Sequence, residues 1–350
     1  MIKLDLNCLP VNQRLARNIY DEDGNLLLAQ DIILEARHIE QLLIKGYREV
    51  YLQEEKLPVE QTVIEKKIVS SKSSLSPEMG TAVEHIKEFM LRVSAGHAIT
   101  RSQVEETIDL IYPEIVGTTN ILNQIRLLRQ KDEYTMKHSV SVSVIAVKIG
   151  ESMGIPEGSL RSLGIAALLH DIGKARISID LINKPTELTL QEFQEIQKHP
   201  LHGFKIVQDM KIPDTEVVTA ILQHHEHYDG SGYPFRVFGR KLHIFSRIIA
   251  VADVFDALTS DRPYRKAIPL FDALDEVVNN SVGHLDPIIT RRLATYILNM
   301  IPGEIVKLND GSTASVVLVN RDEPHRPMVR TGNHFINLKE ERRLHVIDIA

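Results

Sequence analysis

Four stretches of this chain put imidazole or carboxylate groups on the apolar stripe of a helical period, and that pattern limits the possible folds more than any other feature. In 133–153, His138, Val142, Ile145 and Ile149 are spaced 4, 3 and 4 residues apart. In 157–171, Leu160, Leu163, Ala167 and His170 follow 3, 4, 3. Val217, Ile221 and His224 share a face in 214–228, with His225 beside them, and Ile249, Asp253 and Asp256 do the same in 242–259. Residues at this spacing lie on one side of an α-helix, the side that turns to the core.

Taken singly, a histidine on such a face reads as a hydrogen-bonded core residue, and an aspartate as a solvated or capping group. Four helices turning ionisable groups inward together call for another explanation. Burying that many such groups costs several kcal/mol unless they are paired or bound to a metal. Neutral imidazole and carboxylate are the donors that divalent first-row metals take. The absence of sulfur disfavours a structural zinc finger and suits iron, manganese or a catalytic zinc. Of the 15 histidines, seven fall between His138 and His227. Within that stretch His170-Asp171 is the sharpest local feature. Neighbours on a helix differ by about 100°, so the pair either grips one metal from two sides or bridges two through Asp171. Gly173 is expected to end that helix, with Lys174 adding a cation at the rim.

With 350 residues, 43% apolar and 25% charged, the chain is long enough for a sizeable core and is not a disordered sequence. A net charge of −6 gives no global field favouring a nucleic-acid polymer or an anionic membrane. The lone Cys8 makes no internal disulfide, and neither a signal peptide nor an 18-residue apolar run is present, so a cytoplasmic protein is expected.

Residues 1–60 read as a small α/β module. Ile19-Tyr20 and Leu26–Leu28 flank the hairpin signal Asp23-Gly24, a helix is expected over Ile33–Ile44, and a strand over Glu49–Leu52. Residues 61–100 read as linker and helix, 101–302 as a helical catalytic domain, and 303–350 as a small β extension packed on it. The fold class is mainly α.

Two further motifs sit beside the metal-like stripes. Asp229-Gly230-Ser231-Gly232-Tyr233-Pro234 follows His224-His225-Glu226 and reads either as an ordinary turn or as a loop at the mouth of a site. Arg262 and Arg265 come after the Asp253/Asp256 segment and suit an anionic, phosphate-bearing ligand.

Over Gln130–Ile301 these residues resemble the HD-GYP family of cyclic di-GMP phosphodiesterases, a branch of the HD superfamily of metal-dependent phosphohydrolases. The resemblance rests on an ordered series: Tyr134-Thr135 before His138-Ser139; Leu169 to Lys174; Lys184-Pro185 with Leu188-Thr189; His199-Pro200; His224-His225-Glu226; Asp229 to Pro234; and Asp253 through Arg265. It implies an HD-type all-helical domain with His138, His170, Asp171 and Asp253 as general ligands. It adds His199, His224 and His225 around a second metal, with Asp171 bridging. Lys174, Gly232, Tyr233, Pro234, Asp256, Arg262 and Arg265 fall where the family meets substrate, and Asp171, Lys174 and Asp256 would take part in catalysis.

The activity implied by the resemblance is hydrolysis of cyclic di-GMP to linear pGpG, with GMP as a further product to consider. Two divalent metals are implied, iron or manganese, with zinc or nickel as alternatives. The Gly232-Tyr233-Pro234 loop is credited in the family with docking diguanylate cyclase domains, and a homodimer is compatible with the sequence. The competing readings are a catalytically weak cyclic di-GMP receptor and a phosphohydrolase for another cyclic dinucleotide. One position departs from some family members, which carry a glutamate for a third metal where this chain has Tyr134. A neutral phenol is a poor ligand for iron or manganese, so two metals are expected rather than three.

Overall fold

A computed structural model describes residues 2–5, 13–20, 26–34, 38–39, 41–42, 45–52, 75–118, 120–128, 134–261, 265–320, 323–332 and 334–349. The chain divides into two compact units, Ser73–Met300 and a second that joins Met1–Lys72 with Ile301–Ala350. The tail, expected as an extension of the helical domain, therefore belongs to the same unit as the N-terminal segment.

In the helical unit the helices are α1 Pro77–Ser94, α2 Arg101–Gly117, α3 Leu122–Leu128, α4 Tyr134–Ser152, α5 Glu157–Leu169, α6 Ile179–Ile182, α7 Leu190–Ile196, α8 His199–Asp209, α9 Thr215–Gln223, α10 Ile244–Thr259, α11 Leu270–Asp275 and α12 Pro287–Leu298. Several starts are written in the sequence. Ser76 caps α1 by accepting from the Met79 amide, and Thr100 with Gln103 and Thr189 with Glu192 form reciprocal capping boxes. α1 buries Met79, Ala82, Val83, Ile86, Phe89 and Val93 and packs on α2 and α4, so this helix belongs to the helical unit.

The centre of the unit is α4. It packs against α1, α2, α3, α5, α10 and α12, and every residue from Ser139 to Gly150 is buried, as is the His138 ring. Surrounded on all sides, such a helix needs no polar face, and its serines find internal partners: the Ser143 hydroxyl donates to the Gly164 carbonyl at 3.0 Å. α5 packs against it and stops at Leu169. His170 caps α5, and the chain tightens into a 3₁₀ turn, Ile172–Arg176.

In the second unit, β1 Ile2–Asp5 pairs with β6 Glu49–Leu52, β2 Gln13–Arg14 with β5 Ile33–Leu34, and β3 Ile19–Tyr20 with β4 Leu26–Leu28, all antiparallel. The expected hairpin strands and the Glu49–Leu52 strand are present, while the turn 21–25 lies outside the described residues. Ile33-Leu34 is a strand rather than the start of a helix. Leu34 packs into the small core of Leu15, Leu42, Val50 and Leu52, and β pairing with β2 overrides the local helical period. The C-terminal segment is a five-stranded antiparallel sheet in the order β10-β9-β8-β7-β11, from β7 Ile305–Leu308, β8 Thr313–Leu318, β9 Met328–Thr331, β10 His334–Asn337 and β11 Val346–Ile349.

Candidate metal centre

The four stripes converge. His138 comes from α4, His170 and Asp171 from the end of α5, His199 from the start of α8, His224 and His225 from the end of α9, and Asp253 from α10. His138, His170, Asp171, His199 and His224 are each no more than 4% exposed.

Two groups of donor atoms lie within 4.8 Å of one another: Asp171 with His199, His224 and His225, and Asp171 with His138 and His170. Asp171 belongs to both, and its two oxygens divide the work. Oδ1 faces His199 Nε2 at 3.4 Å and His224 Nε2 at 3.9 Å. Oδ2 faces His170 Nε2 at 3.3 Å, His138 Nε2 at 3.8 Å and the Lys174 ammonium at 2.5 Å. Asp253 joins the second group through Oδ1, 3.1 Å from His138 Nε2.

Local structure fixes which nitrogen faces inward. His170, His199 and His224 donate through Nδ1 to the carbonyls of Ala167, Ile196 and Ile221 at 2.7, 2.8 and 2.7 Å. Each acceptor lies three residues back, in the last turn of a helix whose carbonyls lack helical partners. The Nε2 lone pairs therefore point into the cluster, where His199 and His224 Nε2 approach to 3.1 Å.

Two backbone contacts close the site. Gly173 does not adopt a left-handed conformation, so it is not the helix-ending glycine expected. A Cβ there would lie 1.9 Å from the His199 carbonyl oxygen and 2.5 Å from the Gly203 amide nitrogen, so the glycine lets the 3₁₀ turn sit directly on α8. At Gly232 a Cβ would meet the His227 nitrogen at 2.3 Å and the His225 oxygen at 2.4 Å. This close approach lets the Tyr233 ring stack on His225, centroids 4.9 Å apart and 27° between planes. Glu226, to which the motifs give no role, holds the same loop by accepting from the Phe235 amide at 2.6 Å. Its place in His224-His225-Glu226 is the available signal.

The electrostatics are those of a site built for cations. Burial pushes His199 down to about 3 and His225 to about 4, and holds His224 well below the ordinary imidazole value. All three are neutral at pH 7, the form that ligates metal. Burial opposes ionisation of Asp171, yet Lys174 and His170 hold it well below the usual carboxylate range. Burial likewise opposes ionisation of Asp253, and His138 holds that carboxylate low. His138 behaves oppositely. Burial lowers it, but hydrogen bonds to Asp253 and Asp256 outweigh that and raise it to about 9. His170 Nε2 and Asp171 Oδ1 are buried without a hydrogen-bond partner. Buried polar atoms are nearly always satisfied, and a divalent cation among these donors would satisfy both. The residues present fit such an ion.

The motifs put Asp256 against substrate; the structure puts it elsewhere. It is 1% exposed and lies under His138, its Oδ2 2.7 Å from His138 Nδ1 and its Oδ1 accepting from the Ser141 hydroxyl. Ser141 carries no motif, and its only signal is a polar residue one turn from His138 on the buried helix. Lys174 lines the site, Gly232, Tyr233 and Pro234 form the adjoining loop, and Arg265 is exposed after α10. Arg262 and the Tyr134 side chain lie outside the described residues.

The family model described as HD domain matches residues 123–289, the stretch that supplies every one of these donors. This part of the chain is similar to an HD domain. An HD domain implies divalent metal binding. Among curated proteins, the chain is 34% identical over 222 residues to "Cyclic di-GMP phosphodiesterase PA4108" of Pseudomonas aeruginosa, covering 63% of this chain and 53% of that one. It is 35% identical over 187 residues to "3'3'-cGAMP-specific phosphodiesterase 3" of Vibrio cholerae, covering 53% of this chain and 40% of that one. The chain thus spans about half the length of the curated relatives it matches. Among solved structures, Bd1817, a HDG"Y"P protein from Bdellovibrio bacteriovorus, shares the fold with a TM-score of 0.50 at 19% identity, covering 84% of this chain and 98% of that one. No helix among the described residues is long and apolar enough to cross a membrane.

Proposed function

We propose that this chain is a metal-dependent phosphodiesterase that hydrolyses cyclic di-GMP to linear pGpG. The observation that carries the reading is the split use of Asp171, one oxygen facing His199 and His224 and the other His138 and His170. His138, His170 and Asp253 would hold one divalent ion and His199, His224 and His225 a second, with Asp171 able to reach both groups. The all nitrogen and oxygen donor set favours iron or manganese. When bound, a divalent pair supplies Lewis-acid stabilisation of a phosphoryl group and acidifies water.

The chain's own groups do the rest. The Lys174 ammonium, held at the rim by Asp171, is placed to bind a non-bridging phosphate oxygen and to offset charge that grows during hydrolysis. Burial, with Asp171 and Asp253 nearby, raises the Tyr233 phenol, so its O–H stays protonated and is available as a donor at the mouth of the site. Arg265, with Arg262, is assigned the second phosphate or a guanine face. Phe235 and Phe238, exposed just past Pro234, support a loop that docks a partner domain.

The test is to load the protein with Mn²⁺ or Fe²⁺, count metals per chain, and incubate it with cyclic di-GMP, 3'3'-cGAMP and cyclic di-AMP while resolving products. Two metals and release of pGpG from cyclic di-GMP are expected. Turnover of 3'3'-cGAMP alone would reassign the substrate, binding without turnover would make the chain a receptor, and a reproducible three metals would overturn the expectation drawn from Tyr134.

A further inference from the structure

Four of the inward-facing histidines, His138, His170, His199 and His224, place their other nitrogen on a hydrogen-bond partner, and one of the four obtains it differently. His170, His199 and His224 sit at helix ends and use the unpaired carbonyls of Ala167, Ile196 and Ile221. His138 lies inside α4, where the carbonyls of the preceding turn are committed to the helical ladder. Its acceptor comes instead from another helix, Asp256 of α10, at 2.7 Å.

We infer that Asp256 is a positioning residue. It holds His138 with its proton on Nδ1 and Nε2 turned toward Asp253 and Asp171, and it does so without contacting substrate. Three observations carry this. Asp256 is enclosed at 1% exposure, beneath His138 rather than at the mouth of the site. Its second oxygen is itself anchored by the Ser141 hydroxyl, with the Ser260 hydroxyl at 3.5 Å, so the carboxylate cannot swing away. A charged acceptor also makes an imidazole a stronger ligand than a neutral carbonyl does, because the developing positive charge on the ring is stabilised. Among these four histidines His138 is thus tuned separately, through a carboxylate that the family resemblance alone would assign to the substrate.

The inference rests on the metal-centre reading above. Its test is equilibrium titration of chelator-treated protein with Mn²⁺, comparing wild type, D256N, D256A and S141A. Asparagine keeps an acceptor for Nδ1–H but loses the charge, so D256N should weaken one of the two binding steps about tenfold. D256A removes the acceptor and should weaken the same step by up to about a hundredfold. S141A should fall between wild type and D256N. The other step should be unchanged, and KM for the cyclic dinucleotide at saturating Mn²⁺ should stay within about twofold of wild type. If D256A does not fold by far-UV circular dichroism, D256N and S141A decide. Unaltered Mn²⁺ affinity with a raised KM in D256N would overturn the inference and return Asp256 to the substrate. Wild-type protein that takes up no Mn²⁺ would instead overturn the metal-centre reading on which it rests.

Discussion

Replacing Gly173 with alanine tests how the 3₁₀ turn and α8 are joined, and the structure sets the size of the effect. The added methyl would lie 1.9 Å from the His199 carbonyl oxygen where ordinary contact begins at 3.4 Å, a shortfall of about 1.5 Å. Its neighbours are the backbone of His199 and Gly203, not the far end of a flexible side chain, so the turn and the helix must separate. Overpacking of this kind costs about 1–3 kcal/mol. In a helical unit of this size each kcal/mol lowers Tm by roughly 2–4 °C, so a fall of about 2–12 °C is expected. Function should suffer more than stability, because metal–ligand distances tolerate only about 0.2 Å and the displaced backbone belongs to His199. If each group holds one ion as proposed, G173A should bind one Mn²⁺ tightly, through His138, His170 and Asp253, and lose the ion that His199, His224 and His225 would hold. Differential scanning calorimetry and metal analysis after gel filtration read both effects. An alanine variant with wild-type Tm and two bound metals would refute the claim that this glycine exists for close approach.

D171A should release most bound metal and abolish hydrolysis while far-UV circular dichroism stays near wild type, since one carboxylate is lost from an otherwise intact helical core; near-normal metal content would contradict the bridging geometry. R265A should leave metal content intact and weaken substrate binding about ten- to a hundredfold, the worth of a charge-assisted contact with phosphate; metal lost along with affinity would show a structural role instead. Chelator-treated protein should be most stable near pH 6.5 in urea titrations. Below that pH, His199 and His225 take up protons in the unfolded chain but, with folded values of about 3 and 4, not in the native one, so stability falls as pH drops toward 4. Above it, His138 keeps its proton up to about 9 in the native state while the unfolded chain has lost its own, so stability falls again toward pH 9. A curve that rises or falls steadily from pH 5 to 8.5 would be inconsistent with these opposed shifts.

The stripes of the sequence determined a great deal. A 3.6-residue period carrying histidine or aspartate on its apolar side can fold only with those groups inside, so the helices around His138, His170, His224 and Asp253, and a cation-binding centre among them, are legible from residue order alone. Strands in the second unit are readable where turn residues bracket them, and are not at Ile33-Leu34, where pairing with a distant segment decides the conformation. Spacing says which face a residue occupies, not what stands across from it. The division of Asp171 between two histidine groups, the burial of Asp256 under His138, and the contact of Gly173 with α8 all join residues from different helices. Such contacts depend on how helices cross, which is set by packing over the whole core rather than by any local run of residues, and so only the tertiary structure decided them.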